Sequence, residues 1–473
     1  MLQQIRRLLS LFRLRPFDTS TVGGRSKERF RRAALTTISA GAARVIGLSA
    51  SLISVPLTFR YLGTESYGIW MVLISIILVM GFADLGIGNG LMNAVSEAYG
   101  KDDRPLAREY VTSAFVMMLG IAVFLAVAGA VGYPFVPWMR LFNVKSAAVA
   151  AQGARAFLVL YCWFVVSIPL GVITRAQAGL QQGYFSQVVG AFGNIISLLA
   201  LLLVIALHGS LALLVFASTV GVVAATVLNG WLLFRGHPWL LPSWHAYRGS
   251  SAKKILNLGL LFFVLQLTFA ISFTSDNIVI AQVMGAAAVA AYAVPQKLFS
   301  VVSTLVSMGL TPLWPAYGEA IARGDVAWVR RVFFASLRIA LAISIPLCTL
   351  LALAGPWILR VAVGKSLHAP MSLLVVLALW GVVSAVSWPM SMLLNGAGVL
   401  KAQTVLAVIV SLSNLALSIF LTRRLGVMGV CLGSIITQLL ITFPTYSVLI
   451  PGLLKRLTRA EMENGLHGTT YLA

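Results

Sequence analysis

The sequence predicts an all-α polytopic membrane protein with twelve transmembrane helices in two six-helix lobes related by a parallel repeat. Three observations predict it. The 473-residue chain is 59% hydrophobic and only 10% charged, with a mean hydropathy of +0.93, whereas a soluble domain carries about 25% charge. Apolar runs near or above the roughly 20 residues needed to cross a bilayer recur along its whole length. A pattern of turn glycine, glutamate, cation and aspartate also occurs twice, at matching spacing.

The apolar runs fall at about 34–59, 67–92, 110–131, 153–174, 184–207 and 210–234, then at about 255–283, 288–316, 333–357, 370–395, 402–422 and 426–450. Residues 1–33 carry nine basic residues from Arg6 to Arg32 without the apolar core of a signal peptide. They read as a basic cytoplasmic extension, amphipathic around Leu8 to Phe17. The first lobe then spans 34–234, a basic linker spans 235–254, the second lobe spans 255–451, and a cytoplasmic tail spans 452–473. With the amino terminus inside, the inner segments hold 24 Lys and Arg against about eight outside. That asymmetry puts both termini in the cytoplasm. The net charge of +22 is spread over short loops between apolar runs. It fits topology and attraction to anionic membrane lipids, not nucleic acid.

The repeat appears when Gly63 is placed on Gly285 and both copies are read forward without a gap. Glu97-Ala98 then falls on Glu319-Ala320, Lys101 on Arg323, Asp103 on Asp325 and Arg108 on Arg330. Six spans separate the copies, so both start on the same side. Parallel repeats about an axis along the membrane normal are a transporter architecture, with the substrate path expected between the halves.

Few residues carry charge at membrane depth, where an ionisable group is costly and by default functional. Arg44 lies near the middle of the first span with no adjacent carboxylate. It reads either as a structural cation bonded to helix carbonyls or as a contact for an anionic headgroup, which a planar guanidinium grips with two bonds. Asp84 sits in Gly81-Phe82-Ala83-Asp84-Leu85-Gly86-Ile87-Gly88-Asn89-Gly90, where glycines permit a kink or close helix approach. It reads either as a structural residue of that kink or as a gating group that pairs with an inner-face arginine.

Asp276 and Lys297 flank the turn at Gly285 on the two arms of a hairpin, roughly 12 Å and 15 Å from it. They read either as a fixed pair or as separate groups lining a cavity, with Asp276 in substrate contact or coupling. Pro295 removes a backbone donor beside Lys297 and leaves that helix irregular. Arg175 reads as a topology anchor closing the fourth span, and Trp314 as an interface aromatic. Cys162, Cys348 and Cys431 lie far apart within apolar runs, so neither a disulfide framework nor a metal cluster is expected. The five histidines show no metal-ligand spacing. No phosphate loop is present, so nucleotide coupling is not expected; no cofactor is expected, and either a coupling ion, H+ or Na+, or the flux of substrate would drive transport.

Arg60-Tyr61-Leu62-Gly63 with Tyr67-Gly68-Ile69-Trp70, Asp84-Leu85-Gly86-Ile87-Gly88-Asn89, Ser275-Asp276-Asn277 and Pro312-Leu313-Trp314-Pro315-Ala316-Tyr317 resemble the Wzx-type polysaccharide flippases of the MOP, MATE-like superfamily. The resemblance covers about 34–451. It implies a MATE-like fold with a cationic central cavity in the inner membrane. It further implies transfer of undecaprenyl-diphosphate-linked oligosaccharide from the cytoplasmic to the outer leaflet, for O-antigen, lipopolysaccharide or exopolysaccharide synthesis. Within it, Arg44 and Lys297 would meet diphosphate or acidic sugars, while Asp84 and Asp276 would serve coupling or gating. Polysaccharide polymerase and chain-length proteins are the implied partners.

Two other functions fit less well. A MATE-like drug or cation antiporter would display acidic residues at depth, and two of the four deep charges here are cations. A membrane glycan polymerase needs clustered acids and bases or a large outer loop. The outer loops at 132–152 and 358–369 contain no carboxylate.

Overall fold

The computed structural model describes residues 16–142, 144, 146–363 and 370–469. Most of the amphipathic stretch from Leu8 to Phe17 therefore lies outside the described residues, as does the second half of the 358–369 loop. Among the described residues the chain is helical, with no strand. Eleven of its helices are long and apolar enough to cross a membrane. Their outward faces carry Leu52, Phe124, Phe135, Leu353 and Val361, all strongly exposed. That is the inverse of a soluble surface and suits lipid.

The chain divides into two units, Met1–Leu260 and Leu261–Ala473. The first holds α1 (Val22–Met80), α2 (Ile87–Gly100), α3 (Arg104–Gly132), the short α4 (Trp138–Phe142), α5 (Ala147–Gly179), α6 (Gly183–Ala206), α7 (Leu211–Gly236) and the start of α8 (Gly249–Met284). The division falls inside α8, and its first turns pack with the first unit. Ile255 joins Leu91, Val95, Val111, Val172, Ala176 and Leu240 in one buried cluster. The second unit holds the rest of α8, α9 (Ala286–Leu310), α10 (Leu313–Ala322), α11 (Val326–Val363), α12 (Met371–Gly396), α13 (Leu400–Leu425), α14 (Met428–Thr437) and, after a π turn, α15 (Phe443–Thr469). Its core gathers Ile280, Tyr292, Phe299, Val302, Leu374, Leu377, Val430 and Cys431.

The structure departs from the expected spans in two places. Helix α1 begins at Val22, well before the apolar run. Glu28 holds it together there, accepting from Arg31 Nη2 at 2.7 Å and Arg32 Nε at 2.8 Å, one turn on along the same face. Arg32 also donates to Tyr99 Oη at 3.0 Å and to the Leu180 carbonyl at the end of α5 at 3.1 Å. The basic residues at 28–32 are thus helix, welded to two neighbours. The second expected span is not one helix. Helix α1 is interrupted at Gly63 (φ 71°, ψ 178°) and ends at Met80, after which 81–86 form turns before α2 starts. Leu85 (φ 49°) and Gly86 (φ 71°) both occupy the left-handed region, where a helix cannot continue.

Candidate functional site

In the first unit the break at 81–86 puts Asp84 beside a guanidinium. Asp84 Oδ1 accepts the Gly86 amide at 3.0 Å, and its backbone carbonyl accepts the Ile87 amide at 2.9 Å. The carboxylate thus braces the turn that precedes α2, near a helix end whose dipole favours negative charge. Arg175, on α5, donates from Nη1 to Asn89 Oδ1 at 2.7 Å. Gly88 separates the two charges, since a Cβ there would stand 3.0 Å from both Arg175 Nε and Asp84 Oδ2. Arg175 is thus more than a surface anchor: it is held at the break, next to Asp84 and bonded to the residue Asn89 of the same glycine-rich segment. Asp84 and Arg175 are neighbours without a direct ion pair among the described residues.

Arg44 lies elsewhere in the same unit. It is an exposed residue of α1, and no hydrogen bond or ion pair engages its guanidinium among the described residues. The alternative in which carbonyls of neighbouring helices hold it is not what the structure shows.

In the second unit the hairpin turn stands where the sequence puts it, with Gly285 at φ 92° and ψ 161° between α8 and α9. Asp276 and Lys297 do not pair across it. Asp276 is 7% exposed, and its Oδ2 accepts from Tyr292 Oη at 3.1 Å. Its other oxygen, Oδ1, is buried with no partner among the described residues, as is Oδ1 of Asn277. Lys297 is exposed, on one stripe with Val301 and Leu305. Helical rotation explains the separation. Five residues divide Tyr292 from Lys297, a turn of roughly 140°, so the side of α9 that meets Asp276 cannot also present Lys297.

Tyr292 was not singled out from the sequence, although a signal was there. It stands seven residues after Gly285 and Asp276 nine before, so the hairpin brings them to the same depth. Trp314 is buried against Phe262 with ring centroids 5.0 Å apart, and so belongs to the packing of α8 on α10, not to an interface belt. Among the described residues no group of His, Cys, Asp or Glu could hold a metal ion, and the three cysteines are free thiols.

Comparison with solved structures defines the class. A MATE transporter crystallised in a bent conformation superposes with a TM-score of 0.78 over 92% of this chain and 97% of that one, at 15% identity. A transporter of the MOP superfamily from Pyrococcus furiosus, reported to have a binding pocket of reversed polarity, matches at 0.72 over 90% and 96%, also at 15% identity. At that identity the likeness shows the fold: an all-α polytopic membrane protein of the MATE type. Sequence comparison goes further. Residues 36–320 match the family "Polysaccharide biosynthesis protein", and residues 262–420 match "MatE". The chain belongs to the polysaccharide biosynthesis protein family, as a Wzx-type member of the MOP superfamily, and it is a membrane transporter. Similar proteins include one from Salmonella typhi described as an O-antigen transporter, 22% identical over 65% of this chain and 70% of that protein. Another, from Yersinia pseudotuberculosis, is described as an O-antigen export protein and is 21% identical over 78% of this chain and 84% of that one.

Proposed function

We propose that this transporter carries an undecaprenyl-diphosphate-linked oligosaccharide from the inner to the outer leaflet of the cytoplasmic membrane by alternating access. The observation that carries the reading is a pair of cations, one in each unit. Arg44 and Lys297 are both exposed on membrane-spanning helices, and no carboxylate neutralises either among the described residues. Leaving unpaired cations at membrane depth is costly, and an anionic cargo compensates that cost on arrival. A guanidinium is suited to the diphosphate through two parallel bonds. The O-antigen transport and export functions given to the similar proteins point to the same class of cargo.

Asp276 supplies the coupling site in this reading. It is buried and held by one hydroxyl, with a second oxygen available to a proton. Asp84 and Arg175 at the break in the first unit form a latch that closes or opens with the transport cycle. Both termini are cytoplasmic, in line with the excess of Lys and Arg on alternate loops.

The test is leaflet transfer of a fluorescent undecaprenyl-diphosphate oligosaccharide in proteoliposomes, with transfer of a cationic dye as the second arm. Transfer of the lipid-linked glycan that is lost in Arg44→Ala supports the reading. Transfer of the dye alone replaces it with a drug antiporter.

A further inference from the structure

The segment joining α7 to α8 is not a slack linker. Its 3₁₀ turns at Pro238–Leu240 and Trp244–Ala246 are fixed to the first helical turns of α3. Arg108 Nε donates to the Leu241 carbonyl at 3.0 Å, and the Ser243 amide donates to Thr112 Oγ1 at 3.4 Å. Ser113 Oγ donates to the Arg248 carbonyl at 3.3 Å, and Ser251 Oγ donates to Glu109 at 3.2 Å. Beneath, Leu240 is fully buried in the core, and Arg104 stacks on Trp239 at 5.7 Å.

What this held segment presents outward is apolar and aromatic. Trp244 is 74% exposed, Leu241 is 50% exposed and Tyr247 is 40% exposed. Exposed Arg235 and Arg248 flank them, and Arg235 lies over the Trp231 ring at 5.1 Å. No carboxylate occurs in the sequence between Glu109 and Asp276.

We propose that Leu241, Trp244 and Tyr247, with Arg235 and Arg248, form an interfacial anchor for anionic phospholipid, seated in the headgroup and upper acyl region of the membrane. Three features select lipid as the occupant. The segment joins the ends of two membrane-spanning helices, α7 and α8, and so lies at the boundary between water and hydrocarbon. Tryptophan and tyrosine prefer that boundary, with the ring in the acyl edge and the polar atom among headgroups. Two exposed arginines, bonded to no carboxylate among the described residues, complement negative headgroups. Rigid attachment to α3 means that the aromatic set enters the lipid as a unit, without ordering a loop first. The anchor requires only that the chain spans the membrane, whatever its cargo.

The experiment uses the full chain with Cys162, Cys348 and Cys431 replaced, Trp244→Cys carrying a spin label, in nanodiscs. Because Trp244 packs on little, its replacement leaves the fold intact. The label is expected to collide with oxygen and to be shielded from a water-soluble nickel chelate. It should also lie deeper in nanodiscs rich in phosphatidylglycerol than in pure phosphatidylcholine. In Arg235→Gln with Arg248→Gln that lipid difference should vanish, together with phosphatidylglycerol that co-purifies in native mass spectrometry. Free access of the nickel chelate would make the segment an aqueous loop and overturn the anchor. Shielding from both probes would mean a protein covers it and would overturn the anchor equally. An unchanged phosphatidylglycerol dependence in the double variant would remove the assignment to the arginines.

Discussion

Asp103 and Asp325 do the same thing at equivalent positions of the two units. Asp103 Oδ1 accepts the Leu106 amide at 3.0 Å, and Asp325 Oδ1 accepts the Trp328 amide at 3.2 Å, so each caps a long helix, α3 or α11. The correspondence extends backwards at the same offset. Glu97 pairs with Lys101 one turn on, as Glu319 pairs with Arg323. Gly63 and Gly285 share a positive φ with an extended ψ, 71° and 178° against 92° and 161°. A side chain rarely adopts that conformation, which is why glycine recurs at both turns. The two units therefore share a local framework, and what differs between them is informative: Asp84 and Arg175 belong to the first, and Asp276 and Tyr292 to the second.

The first expectation concerns Asp276. Replacing it with Asn keeps the shape and the contact with Tyr292 Oη but removes the acid. Transport should then lose its dependence on a proton gradient and fall at least about tenfold, a barrier change of roughly 1.4 kcal/mol. Membrane abundance should stay near wild type. Tyr292→Phe leaves the carboxyl with no donor and should weaken transport while keeping it gradient-dependent. Proteoliposome transfer with and without an imposed pH gradient decides it, and a gradient response surviving in Asp276→Asn removes Asp276 from coupling.

Arg44 offers a sharper contrast. Lysine preserves charge without the two-bond fork, so Arg44→Lys should retain reduced export, and Arg44→Ala should abolish it. An exposed side chain supports little packing, so neither change should lower the amount of inserted protein. Surface glycan per inserted molecule is the measurement. Normal export per molecule in the alanine variant would take Arg44 out of the pathway.

How much of this was legible beforehand follows from what sequence encodes directly. Eleven of the twelve expected spans, the turn at Gly285 and the repeated pattern were readable because hydropathy, glycine spacing and capping aspartates are local signals; the second expected span, broken at 81–86, was not. The start of α1 at Val22 was not, because Glu28, Arg31 and Arg32 look like a polar tail until their partners Tyr99 and Leu180 are in place. Asp276 was readable as a deep acid, but its partner was not, since depth along a hairpin does not fix rotation about the helix axis. Lys297 and Tyr292 differ in that rotation, not in depth alone. Arg175 resembled one more cation at a span end, because nothing in the sequence says that the glycine-rich break folds back beside it.

Gly88 makes the latch testable without touching a charge. A methyl at that position meets both Arg175 Nε and Asp84 Oδ2 at 3.0 Å, so each side chain has to give by a few tenths of an ångström. Overpacking of this kind costs about 1–3 kcal/mol. Gly88→Ala should lower the melting temperature modestly and slow transport more than stability alone accounts for. Equal transport per folded molecule would leave Gly88 as packing only.

Orientation can be read chemically. In a cysteine-free background, Ser146→Cys should react with an impermeant thiol reagent added to intact cells. Ser250→Cys, at the start of α8, should react only once the inner face is opened. Both positions are exposed, so burial does not confuse the result. Labelling of Ser250→Cys from outside would invert the topology proposed here.

Glu97 provides a pH test outside the spans. Burial pushes its carboxyl up, but hydrogen bonds from Lys101 at 2.7 Å and Lys254 at 2.8 Å outweigh burial and hold it below the ordinary carboxylate range. Because Lys254 opens α8, the bond ties that helix to α2. A carboxyl whose folded-state value is depressed adds stability that is complete above its unfolded value of about 4.3 and is lost as pH falls through the folded one. The wild-type melting temperature should therefore drop steeply on acidification through that window. Glu97→Gln should melt lower near neutrality and show a flatter acid limb, because its side chain no longer titrates. The groups are partly exposed, so the difference should shrink in high salt. Thermal melts of detergent-solubilised protein across pH, at low and high salt, would measure both effects. An acid limb of equal slope in the two proteins would assign the loss to another carboxylate.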